Sequence, residues 1–379
     1  MPHAVPRVLF LGLDGATLTA LGPLFERGVL PNLRTLWGRA ASGTLRSTTP
    51  MVTPVAWTSF LTGCSPVRHG IHEFYHVDVT AGTICPSHAD RIQTATLWQI
   101  LSGQGRPVVS LNLPMTYPTL GVEGLVVAGT DAPSLDAAFA QCPDFGEQVR
   151  GSLPSYTNKN LWKSRPRTLD DLKAVAARTS VLFLEQARAA LMADARVDWS
   201  ALLVHFHNLD GLQHRVWPEL DVEESGPAPD PAWAREVGRC LRSLDDACGI
   251  LLELAQRRGA AVVALSDHGF GPCRAIVNVN GLLAKAGLQR PLSYGTRYRY
   301  RISRLRDRWV RWRFRDRPGL AQRLPRSIAG EVGCDWKRTA AYAPYGQLSA
   351  CVFLHPPGLR ESAAGARLRG EIVQMLREA

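Results

Sequence analysis

The sequence predicts an α/β fold, a central and mostly parallel sheet with helices on both faces. Two observations predict it. Short apolar runs that end in Gly, Asp or Asn recur along the chain, and stretches with helical periodicity alternate with them. The composition agrees: 379 residues, 45% hydrophobic and 20% charged, can bury one large α/β unit or two domains. Disorder as the dominant state is excluded on that balance.

Taken in order, strands are expected at Val8–Leu13, Val108–Leu113, Leu125–Ala128, Ala201–Phe206 and Ala261–Leu265. Helices are expected around Pro31–Gly38, Thr96–Ser102, Leu169–Ala193 and Ala232–Arg258. The last of these closes on Arg257-Arg258-Gly259, basic residues at the negative end of the helix dipole followed by a glycine cap. Between Pro218 and Pro231 five acidic residues and four prolines mark a surface loop. Trp336 to Ala379 adds one strand, Leu348–Leu354, and a helix. The expected organisation is an α/β core over residues 1–285, a basic helical insertion or cap over 286–335, and a return to the core over 336–379.

The formal net charge of +11 is local. Arg290 to Arg326 holds 13 Arg, no Lys and two acidic residues, which accounts for all of it. Within that stretch Arg297, Arg301, Arg304, Arg308, Arg311 and Arg315 recur every three or four residues. Ile302, Leu305, Trp309 and Trp312 repeat on another face, so Arg297–Arg317 reads as a basic amphipathic helix. Three readings fit it: a surface helix packed on the core, a contact with a partner protein, or a surface for anionic membrane, a polyanion or a phosphorylated substrate. No specific nucleic-acid motif accompanies it.

Eight cysteines are scattered without a CxxC pair, which suits free thiols in a reducing compartment. Neither a signal peptide nor an apolar run of transmembrane length is visible, so a cytoplasmic location is expected.

In open α/β sheets, ligands bind beyond the carboxyl ends of the strands. Four places fall there. Asp14 follows the first strand; Asp210 and His214 follow Ala201–Phe206; Asp267 and His268 follow Ala261–Leu265. Thr53 lies in a hydroxyl-rich turn before a helix. Asp210 and His214, at i and i+4, point the same way on a helical turn and can share a cation. A mixture of carboxylates and imidazoles favours zinc or a similar divalent ion over calcium or magnesium. Thr53 at a helix N-terminus would have backbone N–H groups nearby for a phosphoryl oxygen. His205 and His207 alternate at the end of their strand, where one of them can support a metal ligand through a hydrogen bond. His69, His72 and His76 read as structural or exposed.

These residues carry a resemblance. In order, the matching stretches are Leu11-Gly12-Leu13-Asp14-Gly15, Thr53-Pro54 through Thr62-Gly63, Asn112 through Pro118, Asp210 through Trp217, and Ser266-Asp267-His268-Gly269-Phe270. The chain resembles the alkaline phosphatase superfamily, in its type I phosphodiesterase/nucleotide pyrophosphatase branch. The resemblance implies an alkaline-phosphatase-like fold and two divalent metal ions, zinc first and manganese as the alternative. Asp14, Thr53, Asp267 and His268 would hold one ion, with Thr53 as the nucleophile that is transiently phosphorylated. Asp210 and His214 would hold the other. The implied activity is hydrolysis of a phosphate ester, either a phosphodiester or a nucleotide pyrophosphate. A phosphomonoesterase, a phosphomutase and a catalytically impaired binding protein are the alternatives.

The sequence departs from the family's pattern in two places. Ala56 stands where nucleotide pyrophosphatases often carry an Asn that helps hold the phosphoryl oxygen. The family completes its second metal site with a further His near the C-terminus, whereas after His268 this chain has only His355, which reads better as a loop residue. A shortened reading frame or an incomplete second site is therefore expected. Cys64-Ser65-Pro66-Val67-Arg68 fits the sulfatase Cys-x-Pro-x-Arg pattern, but it follows Leu61-Thr62-Gly63 instead of preceding it.

Overall fold

The first strand, β1 (Val8–Leu13), sets the plan of the molecule, because its alternate residues face opposite layers. The computed structural model describes residues 6–78, 80–164, 166–217, 220, 230–273, 275–293, 326–327, 333–335, 338–344 and 351–378. After β1 come α1 (Leu18–Glu26), α2 (Pro31–Arg39), α3 (Thr53–Thr62), α4 (Pro66–His69), β2 (Tyr75–Asp78) and β3 (Thr83–Pro86). Then follow α5 (Leu97–Ser102), β4 (Val108–Leu111), β5 (Gly124–Val127), α6 (Leu135–Ala138), α7 (Pro143–Ser152), α8 (Leu169–Asp194) and β6 (Ala201–Phe206). The chain continues through α9 (Asn208–Val216), α10 (Pro231–Arg258), β7 (Ala261–Leu265) and α11 (Val279–Lys285). Three short strands, β8 (Arg326–Ser327), β9 (Ala341–Tyr342) and β10 (Phe353–Leu354), precede a last helix, Ala363–Glu378.

Two compact units result. One comprises Met1–Gly70 and His88–Pro272, the other Ile71–Ser87 and Cys273–Ala379.

The first unit is built on a five-stranded sheet in the order β5-β4-β6-β1-β7, and every pairing in it is parallel. Parallel neighbours require crossovers, which the helices provide, and strands covered on both faces are apolar throughout. All residues of β4 and β6 are buried. On one face Leu9, Leu11, Val109, Leu202, Val204 and Phe206 pack with α8 and α10, where Phe183 and Phe206 meet edge to face at 5.9 Å. On the other, Val108, Ala201 and Leu203 pack with Trp57 and Leu61 of α3 and Trp98 of α5, with Phe10 against them. The α/β fold with helices on both faces is therefore present as expected.

Local chemistry fixes the helix ends. Thr96 and Gln99 form a capping box at α5. The Asp230 carboxylate accepts from Trp233 N at 2.8 Å to start α10, and Gly259 closes that helix in the left-handed region. The Asp194 carboxylate accepts from Arg258 and from the Trp199 indole, tying the end of α10 to the end of α8. Strand β4 stops at Leu111, two residues short of the expected Leu113, because Asn112 takes φ 64°. Its side-chain carbonyl accepts from Tyr156 Oη at 3.0 Å and helps hold that turn.

The second unit contains the antiparallel pairs β2–β3, β3–β8 and β9–β10, and the last helix buries Ile372 beside Leu283 and Ala341. Phe353–Leu354 is the described part of the expected Leu348–Leu354 strand. The expected basic helix at Arg297–Arg317 and most of the Pro218–Pro231 loop lie outside the described residues.

Candidate metal centre

Three adjacent strands deliver their next residues to one place. β6 and β7 flank β1, so Asp14, the turn after β7 and the start of α9 emerge side by side at the carboxyl edge of the sheet. Asp14 is fully buried and Asp267 nearly so, and Thr53 begins α3 with 5% of its surface exposed.

The donor atoms converge on His268. Its Nε2 lies 3.5 Å from Asp14 Oδ1, 3.4 Å from Asp267 Oδ2 and 3.3 Å from Thr53 Oγ1. A carbonyl only accepts, so the contact of His268 Nδ1 with Gly269 O at 2.9 Å places the ring proton on Nδ1. That leaves Nε2 directed at the two carboxylates. The other oxygen of Asp267 accepts from Gly15 N at 3.1 Å.

The electrostatics call for a positive charge here. Burial and the neighbouring Asp14 charge push the Asp267 carboxyl well above its ordinary range. Burial acts to lower His268, yet the Asp267 and Asp14 carboxylates outweigh it and raise the imidazole. Burial would likewise raise Asp14, but hydrogen bonds and charge from His205 and His207 bring it below its usual value. Asp14 Oδ1 and Asp267 Oδ2 are buried without a hydrogen-bond partner, a costly arrangement unless a cation meets them. Ligand atoms of Asp14, Asp267 and His268 all lie within 4.8 Å of one another. The residues thus fit a divalent ion on the side of Asp14 Oδ1, with Thr53 at its edge.

Asp210 and His214 form a second, more open group. They lie 3.4 Å apart one turn from each other on α9, and the His214 side chain is 60% exposed. The hydrogen bond with Asp210 raises the His214 imidazole. Phe270 meets the His214 ring edge-on at 4.8 Å and stacks on Trp217 at 5.2 Å, so an aromatic pair backs the imidazole. A Cβ on Gly15 would sit 3.4 Å from Asp210 Oδ1, which places this carboxylate beside the Asp14 turn. Among the described residues, no third His, Cys, Asp or Glu completes a three-ligand group with Asp210 and His214.

The start of α3 differs from the sequence expectation. Pro54 has no N–H, and the amides of Val55 and Ala56 are spent on Val52 O. The helix therefore offers the amide of Thr53 itself rather than a nest of several donors.

Two residues that sequence reasoning placed in the background contact Asp14 directly. His207 Nδ1 lies 2.8 Å and His205 Nε2 3.2 Å from Asp14 Oδ2. Their alternation at a strand end was the available signal. Asn160, 3.3 Å from His207, had no sequence signal, since 47 residues separate the two. His69 is buried, with Nε2 2.9 Å from Ser59 Oγ, in keeping with a structural role.

The fold and this centre together define an α/β protein with an acidic, imidazole-bearing candidate cation site at the carboxyl edge of a parallel sheet. The chain belongs to the type I phosphodiesterase/nucleotide pyrophosphatase family of the alkaline phosphatase superfamily, whose model matches residues 8–339. Among solved structures it is similar to phosphonoacetate hydrolase from Sinorhizobium meliloti, solved with phosphonoformate and with phosphonoacetate. Both show 20% identity over 74% of this chain and 62% of that one, with TM-scores of 0.46 and 0.47. A Bacteroides thetaiotaomicron structure, from work on metabolism of multiple glycosaminoglycans, matches at 11% identity over 70% of this chain and 62% of that one, with a TM-score of 0.37. Comparison with curated proteins returned no match. No described helix is long and apolar enough to cross a membrane.

Proposed function

We propose that the protein is a metal-dependent hydrolase of phosphate esters, acting on a phosphodiester or a nucleotide pyrophosphate through transient phosphorylation of Thr53. One observation carries this reading: the Thr53 hydroxyl is 3.3 Å from an imidazole nitrogen that also faces two buried carboxylates. Asp14, Thr53, Asp267 and His268 would hold one divalent ion, and Asp210 with His214 a second. The carboxylate and imidazole donors suit zinc, with manganese as the alternative. When bound, the ions would neutralise charge on phosphoryl oxygens and lower the pKa of a hydroxyl or water beside them.

The protein's own contribution is placement. Thr53 Oγ1 gives up its proton and attacks phosphorus, the bond from phosphorus to the leaving oxygen breaks, and that oxygen departs with the bonding electrons and takes up the proton. A phosphoester on Thr53 remains. Water then adds its oxygen to phosphorus, the bond to Oγ1 breaks, and Thr53 regains a proton at Oγ1. Seating Thr53 on the first turn of a helix fixes the attacking oxygen and keeps it at the positive end of the dipole.

The test is a panel of aryl phosphate monoesters, diesters and nucleotide substrates with added zinc or manganese. Turnover of a diester or nucleotide supports the reading; a monoester preference moves the protein to a phosphomonoesterase. No turnover on any member contradicts hydrolysis. A binding protein with a partial metal site is the second reading, and the two-residue Asp210–His214 group favours it. Near two equivalents of bound zinc per chain support the hydrolase, and one or none supports the binding protein.

A further inference from the structure

Asp14 is common to two clusters that could take a cation, one with Asp267 and His268 and one with His205 and His207. Hydrogen bonding removes His207 from the second of them. The Asn160 amide oxygen accepts from Trp162 N at 2.9 Å, which fixes the orientation of the amide. Its Nδ2 therefore faces His207 Nε2, at 3.3 Å, as a donor. Nε2 accepts, so the ring proton sits on Nδ1, which donates to Asp14 Oδ2 at 2.8 Å. His207 is in this way a hydrogen-bond donor to Asp14 rather than a lone-pair ligand for an ion.

The surroundings are shaped for that chain of contacts. Asn208, the residue after His207, grips the Asn160 segment from both sides. Its Oδ1 accepts from Leu161 N at 2.8 Å and its Nδ2 donates to Lys159 O at 3.1 Å. One turn on, Gly211 leaves the space that Asn160 occupies: a Cβ there would come within 2.6 Å of Asn160 Oδ1 and 2.7 Å of Trp162. Asn208 is 2% and His207 6% exposed, so water does not compete for these bonds.

From this geometry we infer that Asn160 and His207 are positioning residues. Asn160 sets the ring of His207, and His207 engages Asp14 Oδ2 and leaves Oδ1 facing Asp267 and His268, which favours a cation on that side. The inference rests on the metal-centre reading for its consequence, but its tautomer is a property of the protein alone. A metal-ligating group is commonly oriented by such an outer partner, whose loss weakens binding about 10- to 100-fold.

The experiment pairs nitrogen NMR of the imidazoles in the zinc-free protein with zinc titration against a competing chelator. Wild type is compared with His207→Phe, His207→Asn and Asn160→Ala. The Nδ1-protonated tautomer is expected for His207. Zinc binding should weaken about 10- to 100-fold in the Phe variant. It should return to within about threefold in the Asn variant, whose Nδ2 occupies the place of the imidazole Nδ1 donor. Should His207→Phe not fold, Asn160→Ala keeps the ring and is expected to show mixed tautomers with several-fold weaker binding. An Nε2-protonated His207 in wild type, or wild-type zinc affinity in the Phe and Ala variants, overturns the inference. Absence of zinc binding by wild type would instead defeat the metal-centre reading, and the tautomer would still decide this one.

Discussion

Thr53 Oγ1 lies 3.3 Å from Nε2 of His268, although 215 residues separate them in the chain. The sheet order explains the meeting. β7 is hydrogen-bonded beside β1, so the turn that carries His268 emerges next to Asp14, and α3 packs Trp57 against the same end of the sheet.

Replacing His268 with Ala removes the imidazole on which these contacts converge. Zinc affinity is expected to fall at least as far as the ~100-fold upper range for loss of an outer partner, with little change in thermal midpoint without metal. Competitive zinc titration and thermal unfolding measure the two effects. Unchanged affinity would remove His268 from the metal centre.

Gly12 makes room for the His205 imidazole, which lies beside Asp14. A Cβ there would stand 3.0 Å from the Trp57 ring and 3.1 Å from His205, both fully buried. Gly12→Ala is expected to cost about 1–3 kcal/mol by overpacking. Because it shifts His205, it should also weaken zinc binding. Denaturant unfolding and zinc titration on this variant provide the check.

Asp245 on α10 accepts from Asn32 N and Leu33 N at 2.9 Å each and from the Asn32 amide, capping α2 from a distant helix. Asp245→Ala leaves buried donors without a partner and should cost about 2–3 kcal/mol in urea unfolding. A loss below half a kcal/mol, about the scatter of surface substitutions, would show that α2 does not depend on this cap.

The fold was legible where periodicity and caps agreed. Val8–Leu13, Ala201–Phe206 and Ala261–Leu265 are strands with those bounds, and the long helices differ by one residue at an end. Val108–Leu113 overran because the left-handed turn at Asn112 depends on Tyr156, a contact across the fold that strand propensity does not encode. The candidate site was legible as residues following strands, and the structure brings Asp14, Thr53, Asp267 and His268 together. Its support was not. The orientation of Asp14 depends on His207 and Asn160, whose meeting is set by tertiary packing around Gly211.

Asp131 gives a pH signature away from the metal centre. Burial raises its carboxyl from 3.8 to about 6, despite hydrogen bonds from the backbone N–H groups of Tyr117 and Met115. The folded protein then binds more protons than the unfolded chain between those values. Stability from this group therefore falls as pH rises from about 4 to 6 and levels off above, by up to about 3 kcal/mol. Asp131→Asn should remove that slope, as urea unfolding of both proteins from pH 4.5 to 7.5 would reveal. Parallel slopes would place the Asp131 carboxyl near its ordinary value.

In the proposed mechanism Thr53 is the group that takes the phosphoryl. Zinc-loaded protein is mixed with a turned-over ester, quenched in acid and analysed by mass spectrometry of its peptides, with Thr53→Ala in parallel. A phosphate adduct on Thr53 in wild type is predicted, together with loss of turnover in a Thr53→Ala protein that remains folded and binds metal. Full turnover by Thr53→Ala would contradict the account.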